Sequence, residues 1–320
     1  MGDYMLTYIF KRLVSIVPVL FVVSIAIFMI IHITPGEPAS VLLGLEATPE
    51  EIEALNEQMG LNRPIYIQYF TWIKNVFKGD LGDSIFMRMP VADAIRDYFP
   101  PTMSLAILAQ LIALIIAIPT GIIASYKRGK PIDTALMSVS LLGMATPGFL
   151  LGLFLMLLFS VQLGWLPVAG YRPLSMGLGT HLYYLILPAF SLGVVQAALI
   201  ARMTRSSMLD VLYNNYIKTA RAKGIKEKVV LLKHALKNAS LPILTVLGQS
   251  FGTLVTGAVV IESLFNIPGM GQLVLNSIKR RDIAVIQGVV LFITLIYVGV
   301  NLFVDLMYGV IDPRVRLDRK

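Results

Sequence analysis

The chain alternates between long apolar runs and shorter polar interruptions. Six runs stand out: residues 13–33, 102–126, 134–163, 182–201, 243–261 and 283–306. About 20 apolar residues of helix cross the hydrocarbon core of a bilayer, so each run predicts one transmembrane helix. No Lys or Arg falls inside any of them, and the acid within one is Asp305, near the end of the sixth. The pattern predicts an all-α, polytopic membrane protein with six transmembrane helices. The first run follows Lys11 and Arg12, but it is too long for the apolar region of a signal peptide and no A-x-A-like site follows it. It reads as an uncleaved anchor.

The polar interruptions divide the chain further. Residues 1–33 hold the N-terminus and the first span, and 34–100 form a segment outside the apolar core. Residues 101–308 form a five-helix core that includes a long loop at 202–242, and 309–320 form a tail. The 34–100 segment carries Glu37, Glu46, Glu50, Glu51, Glu53, Glu57, Asp80, Asp83, Asp93 and Asp97. Within it, Thr48 is an N-cap, Pro49 suits the first helical position and Glu51 completes a capping box. Ile52, Leu55 and Met59 then share one face, and Gly60 ends the helix. A second helix from Pro64 to near Gly79 carries Tyr66, Tyr69, Phe70, Trp72 and Phe77. Aromatic amphipathic helices favour the membrane–water boundary. The simpler reading is a belt resting on the bilayer; the sharper one is a platform for an external partner.

Composition agrees with a membrane solvent: 56% of residues are hydrophobic and 14% charged, against about one quarter charged in soluble domains. The net charge of +8 raises the question of nucleic acid, and its distribution answers it. Two thirds of the Lys and Arg fall on one side of the membrane if the spans alternate. That side holds Lys11, Arg12, Lys127, Arg128, Lys130, the cations of 202–242, and Arg314, Arg316, Arg319 and Lys320. The cation-rich side is cytoplasmic by the positive-inside rule, which puts both termini in the cytoplasm. The excess charge is topological, and no nucleic-acid partner is implied.

The 202–242 loop is long and patterned. In LLKHALKNA, Leu231, Leu232, Ala235, Leu236 and Ala239 recur at helical spacing. Ahead of it, YIKTARAKG places Lys218, Thr219, Ala220, Arg221, Ala222, Lys223 and Gly224 together, with no acid among them. Topogenic charge alone accounts for cations here. The length, the helical pattern and the small residues point further, to an element on which another surface docks. The fifth span contains Gln249, Ser250, Thr253, Thr256 and Gly257. Small and hydroxyl residues serve tight helix packing in membranes, and they equally line a water-filled path. It runs toward Glu262, read as close to water, and then FNIPGMGQL. There Pro268, Gly269 and Gly271 predict a turn or re-entrant loop.

Several chemistries are missing. No cysteine is present, and His32, His181 and His234 belong to no metal-ligand pattern. There is no G-x-x-x-x-G-K-[ST], G-x-S-x-G or H-E-x-x-H motif, hence no catalytic constellation and no metal site. Ion-coupled carriers bury acids or His within their spans, and these spans are almost free of them. A stand-alone ion-coupled carrier is disfavoured, and a passive pore or a non-transporting scaffold stays open.

The chain resembles the permease subunits of bacterial ATP-binding-cassette importers, most closely the B-type permease of dipeptide, oligopeptide and nickel systems. The resemblance covers nearly the whole chain. It is carried in order by RLVSIVPVLFVVSIAIFMIIHITPGEPA, GLNRPIYIQYFTWIKNVFKGDLGDS, QLGWLPVAGY, YIKTARAKGIKEKVVLLKHALKNASLPIL, ESLFNIPGMGQL and DLMYGVIDPRVRL. It implies the type I importer permease fold and a bacterial inner-membrane location. It also implies four partners besides lipid: a second homologous permease, two cytoplasmic ATPases and an extracytoplasmic substrate-binding protein. No cofactor is expected on this chain, with ATP and Mg on the ATPases. The Glu-Ala-Ala-x-x-x-Gly element of the wider class falls on Lys218, Thr219, Ala220 and Gly224, so Lys replaces Glu and Thr the first Ala. Leu241-Pro242 closes the element, farther from the Gly than in sugar permeases. The candidate path residues remain those of span five, and the candidate outer gate or loop is Glu262 with Pro268, Gly269 and Gly271.

Overall fold

The computed structural model describes residues 2–33, 40, 43 and 47–311, excepting the side chains at 2–13, 31, 33, 55, 58, 59, 257 and 309–311. The tail cations Arg314, Arg316, Arg319 and Lys320 lie outside the described residues, as do Glu37 and Glu46. The side chains of Lys11, Arg12, Leu55 and Met59 do so too.

Long apolar helices frame the molecule. They are α1 (Gly2–Ile33), α4 (Val91–Tyr126), α7 (Leu178–Leu212), α9 (Leu236–Gly257) and α12 (Ile283–Ile311). Two short helices, α2 (Pro49–Met59) and α3 (Ile65–Phe77), follow α1. A two-residue-strand hairpin, β1 (Asp83–Ser84) with β2 (Met89–Pro90), then leads into α4. Among the described residues, four helices are long and apolar enough to cross a membrane, and the pair α5 (Pro131–Ala145) and α6 (Gly148–Leu155) with its π-helical extension Met156–Gln162 makes a bent fifth if the two count as one span. The first expected span falls on the second half of α1, whose described apolar stretch is Val14–Ile30, shorter than the other spans. At 17 residues it sits at the short end of the spanning range.

Three expected boundaries moved. Span two starts at Val91 rather than 102, because Pro100 and Pro101 are absorbed within α4. Span three is not straight. It bends by 99° between α5 and α6, where Pro147 lacks an N–H and forces Thr146 into an extended conformation (φ −87°, ψ 122°). Span five stops at Gly257, and a separate short helix α10 (Val259–Leu264) carries on. A last amphipathic helix, α11 (Met270–Arg280), precedes α12.

The α4–α7 pair is the centre of the bundle. On α4, Ala109, Ala113, Ala117 and Gly121 recur every four residues and are buried. On α7, Ala189, Gly193, Ala197 and Ala201 do the same. Residues four apart share a helix face, so two flat stripes meet and the backbones approach closely. A Cβ on Gly121 would sit 2.5 Å from Thr204 Cβ, and one on Gly193 would sit 2.8 Å from the Ala109 carbonyl oxygen. No side chain fits there. Without a hydrophobic drive in lipid, such close packing is what associates helices.

Apolar clusters are strung along α4. At its start, Val91, Ala94 and Ile95 pack with Met270, Leu273, Val285 and Val289. Farther on, Leu105, Ala106 and Ala109 pack with Leu185, Leu254, Ile261 and Phe265. At its end, Ile118 and Ile122 join Met208, Ile217, Val230, Ala235 and Ile243. The hairpin and α11 therefore lie at one end of the bundle and the 202–242 segment at the other. Gln287 Nε2 donates to the Ile27 carbonyl at 3.2 Å and holds α1 against α12. Tyr69 and Ser24 hydroxyls meet at 2.8 Å, and Phe28 stacks on Tyr69 and Trp72. The aromatic helix α3 thus rests on α1, and its Tyr66, Phe70 and Phe77 stay exposed.

The expected capping signals of α2 are present. Thr48 Oγ1 accepts the Glu51 N–H, Glu51 accepts the Thr48 N–H at 2.9 Å, and Gly60 ends the helix at φ +71°. These bonds hold the Glu51 carboxyl below its usual range, the Thr48 backbone bond contributing most.

Gly193→Val should lower the thermal unfolding midpoint of the purified chain, by the equivalent of roughly 1–3 kcal/mol for overpacking. Gly179→Ala on the same helix, where a Cβ meets nothing within 4 Å, should be silent. Equal midpoints for the two variants would show that the stripe does not hold the pair together.

Candidate coupling and gating sites

At one end of the bundle α7 runs on past the apolar run to Leu212, turns at Tyr213 and Asn214, and starts α8 (Asn215–Ala222). The expected docking residues divide by face. Ile217 is buried and Ala220 is 8% exposed, both turned into the chain's own cluster with Met208 and Val230. Lys218, Thr219, Arg221, Ala222, Lys223 and Gly224 are exposed. Ala220 thus lies on the inward face of α8 and packs on this chain's own core rather than on the helix's exposed face. Gly224 has φ +75° and its N–H bonds the Arg221 carbonyl at 2.9 Å, with open space where a Cβ would be. It terminates the helix in the left-handed region that glycine adopts without strain.

The basic segment also has an acid. Arg221 forms a two-pronged ion pair with Glu227, at 2.7 and 3.2 Å. It raises the Arg221 pKa, chiefly through that bond. Exposed pairs contribute about 0.2–1 kcal/mol, so this one shapes the turn more than it stabilises the fold. After Glu227, a π-helical stretch Val230–Ala235 joins α9 directly. The extra residue per π-turn shifts the face, which is why Leu232 is exposed while Ala235 and Ala239 are buried. Leu241 and Pro242 lie inside α9, half-buried and exposed respectively, and the helix runs through them. They do not end an element.

A clasp that sequence reasoning missed lies beside α8. Asp133, 4% exposed at the start of α5, takes two bonds from Arg205 on α7, Nε to Oδ1 at 2.6 Å and Nη2 to Oδ2 at 2.8 Å. The Gly129 N–H adds a third at 3.0 Å. Next to it Arg128 stacks over the Tyr213 ring at 5.3 Å and hydrogen-bonds its hydroxyl. A charge this buried is tolerated when paired and hydrogen-bonded. Arg128 and Arg205 had been read as topological charge. The available signal was Asp133, an acid at the edge of the basic 127–130 loop.

Span five splits between the two readings open for it. Gln249, Thr253 and Thr256 are exposed along one face of α9, pointing away from the rest of the chain. Ser250 faces the other way. It is 3% exposed and donates to Gln110 on α4 at 2.9 Å, which places it in packing rather than on the open face. Gly248 and Gly252 lie against α12, where a Cβ would reach 2.2 Å from Val304 and 2.7 Å from Tyr297. Gly257 is the last residue of α9.

At the opposite end the expected turn is present, and Glu262 is not near water. It is 0% exposed. Its Oε1 accepts the Thr102 hydroxyl at 2.6 Å and its Oε2 the Gln272 N–H at 3.1 Å. Thr102 in turn accepts the Met270 N–H at 2.8 Å. The carboxylate thus caps the N-terminus of α11, where orphan N–H groups and the helix dipole favour a negative charge. The two glycines make room for it. A Cβ on Gly269 would lie 2.2 Å from Glu262 Oε1, and one on Gly271 would lie 2.7 Å from the Val259 backbone. Pro268 is half-buried in the turn, and Asn266 takes the left-handed region at φ +48°. Glu262 was misread because burial of a span-end acid depends on what folds back over it, and α11 does.

The family model for the inner membrane component of binding-protein-dependent transport systems matches residues 117–317. The model for the N-terminal part of such components matches residues 5–106. The chain belongs to this family. The glutathione transport system permease protein of Shigella flexneri serotype 5b is 42% identical to this permease over 312 residues, 98% of this chain and 99% of that one. The probable peptide ABC transporter permease protein of Sinorhizobium fredii is 41% identical over 309 residues, 97% and 99% of the two chains. Among solved structures, the methionine ABC transporter MetNI in an inward-facing conformation superposes with a TM-score of 0.58. It is 16% identical and covers 68% of this permease and 96% of that chain. The shared fold is that of an importer permease, and the permease is a membrane subunit rather than the enzyme that hydrolyses ATP.

Glu262→Ala should destabilise the permease by about 1–3 kcal/mol, since the Thr102 hydroxyl and Gln272 N–H lose their acceptor. Glu262→Gln, which keeps an acceptor oxygen, should lose less. Thermal unfolding of the purified chains reads the order, and an alanine variant as stable as wild type would contradict the cap.

Proposed function

We propose that this permease forms half of the translocation pathway of an ATP-driven peptide importer in a bacterial inner membrane. The observation that carries the coupling role is α8. It is a short helix held rigidly from beneath by Ile217 and Ala220, with Lys218, Thr219, Ala222 and Lys223 presented outward. That face seats in a cleft of a cytoplasmic ATPase, where ATP and Mg are bound. A second, homologous permease completes the pathway against the exposed Gln249–Thr253–Thr256 face of α9, two ATPases drive it, and an extracytoplasmic binding protein delivers the cargo. Both termini are cytoplasmic, as the Lys and Arg distribution requires.

Movement of α8 passes into the spans through stiff connections. The Asp133–Arg205 clasp joins α5 to α7 just before α8, and the π-helical stretch joins α8's neighbourhood to α9 without a loop. Glu262 and the Pro268–Gly269–Gly271 turn hold α10 and α11 at the outer end. Cargo follows the names of the relatives, which concern glutathione and peptides. Both favour a peptide over a nickel chelate.

Ala222→Trp tests the docking face, because Ala222 is exposed and touches no core of this chain. The variant should insert and assemble normally while ATP-driven peptide uptake falls at least about tenfold, equivalent to 1.4 kcal/mol. Uptake at the wild-type rate would remove α8 from the coupling role. Orientation is tested by accessibility labelling. A cysteine at residue 55 should react from outside the cell and a tag after residue 320 should stay protected, and the reverse would overturn the topology.

A further inference from the structure

The helix α3 carries no acid, and none stands between Glu57 and Asp80, whereas Arg63, Lys74 and Lys78 lie in or beside it. The preceding α2 is the reverse, with Glu50, Glu51, Glu53 and Glu57 and no cation. Along α3, Tyr66, Phe70, Lys74 and Phe77 recur every three or four residues and so share one face. All four are exposed. Tyr69 and Trp72 turn away from that face and onto α1.

The depth of the contact with α1 says what covers the exposed face. The Tyr69 ring centroid lies 6.5 Å from that of Phe21 and 5.4 Å from that of Phe28, and its hydroxyl meets Ser24 at 2.8 Å. Ser24 Oγ donates to the Phe21 carbonyl at 2.8 Å, so Tyr69 is the donor to Ser24. The two hydroxyls are thus satisfied without water, as polar groups in hydrocarbon must be. Phe21, Ser24 and Phe28 all sit inside the apolar stretch Val14–Ile30 of α1. At 1.5 Å per residue, Ser24 is about 9 Å short of the end of that stretch at Ile30. A stretch of 17 residues is no longer than a hydrocarbon core of about 30 Å, so the bilayer boundary lies no deeper than Ile30. Tyr69 therefore reaches below it. Interfacial amphipathic helices bury their apolar face about 5–10 Å into the boundary region, which is the same depth.

The apolar surface is also continuous. Val14, Val17 and Phe21 share an exposed face of α1, and Phe21 borders Tyr69, so the outer surface of a span runs on to α3. A soluble partner could not settle there without displacing lipid.

We propose that α3 is an in-plane anchor in the outer leaflet, with Tyr66, Phe70 and Phe77 among the acyl chains and Lys74 and Lys78 reaching to lipid phosphates. The occupant of this face is phospholipid, not a docking protein. Lysine stems lie along apolar surface while their heads stay at the polar level, and an acid-free, basic stretch is drawn to anionic headgroups. The acidic α2, by the same charge rule, stays on the water side. The proposal rests on α1 being a membrane span, and not on the cargo or on the coupling role of α8.

The chain has no cysteine, so a single introduced thiol takes the only label on it. Phe70→Cys, Phe77→Cys and, on α2, Glu53→Cys each carry an environment-sensitive fluorophore in the assembled importer with cysteine-free partner subunits. The nanodiscs hold phosphatidylethanolamine and phosphatidylglycerol, with or without a lipid bearing a nitroxide high on its acyl chain. Emission from the two α3 labels should shift to the blue, be quenched by the nitroxide lipid and resist aqueous iodide. The α2 label should be quenched by iodide and not by the lipid. Labels on α3 that iodide quenches as it does the α2 label, or that become shielded only when the binding protein is added, overturn the anchor. If loss of an aromatic ring prevents assembly, Lys74→Cys, which removes no ring, decides alone by the same readout. A label at Val17→Cys tests the premise. Iodide quenching there overturns α1 as a span, a result distinct from a water-exposed α3 beside a lipid-quenched α1.

Discussion

Everything in this permease hangs on the contact between α4 and α7. Lipid gives two helices no hydrophobic reason to associate, so they must meet closely enough for dispersion to do so. The alanines and glycines at four-residue spacing on both faces provide that approach, and Gly121 and Gly193 mark where even a methyl group has no room. The pair spans the length of the bundle. The hairpin, α11 and α12 assemble around the start of α4, and the 202–242 segment assembles around its end. The α4–α7 pair is the body to which both ends of the bundle are attached.

Each end is fastened by a buried carboxylate. Asp133 ties α5 to α7 through Arg205, and Glu262 ties α10 to α4 and to the N-terminus of α11. Such groups are expensive to bury and strongly directional once satisfied, so each fixes one relative placement of its elements. Packed interfaces of this kind switch between discrete arrangements rather than deform continuously. On the coupling role proposed for α8, a displacement applied there would reach the spans as a rigid-body motion.

The bend at Pro147 and the π-helical stretches at Met156–Gln162 and Val230–Ala235 stand apart from these fastenings. Irregular backbone at membrane depth is tolerated where it is buried in protein or lines a cavity. π-bulges often sit at functional positions. Here one of them joins the proposed coupling helix to the span that presents the polar face.

The sequence by itself determined the apolar, helical character of the chain, the capped helix at Thr48 and the helical character of 202–242. Each depends on local period or composition. It also carried the family, through ordered motifs rather than through any one of them. Only the tertiary structure decided which way residues face. Ala220 and Ser250 read as a docking contact and a path residue, and both turn inward. Glu262 read as solvent-facing and is fully buried. Arg205 and Arg128 read as topological charge, and the first clasps Asp133 while the second holds Tyr213. The physical reason is common to all of these. Burial and pairing of a side chain depend on elements distant in sequence, such as Thr102 folding against Glu262 or Arg205 against Asp133, and no local period encodes which distant element arrives.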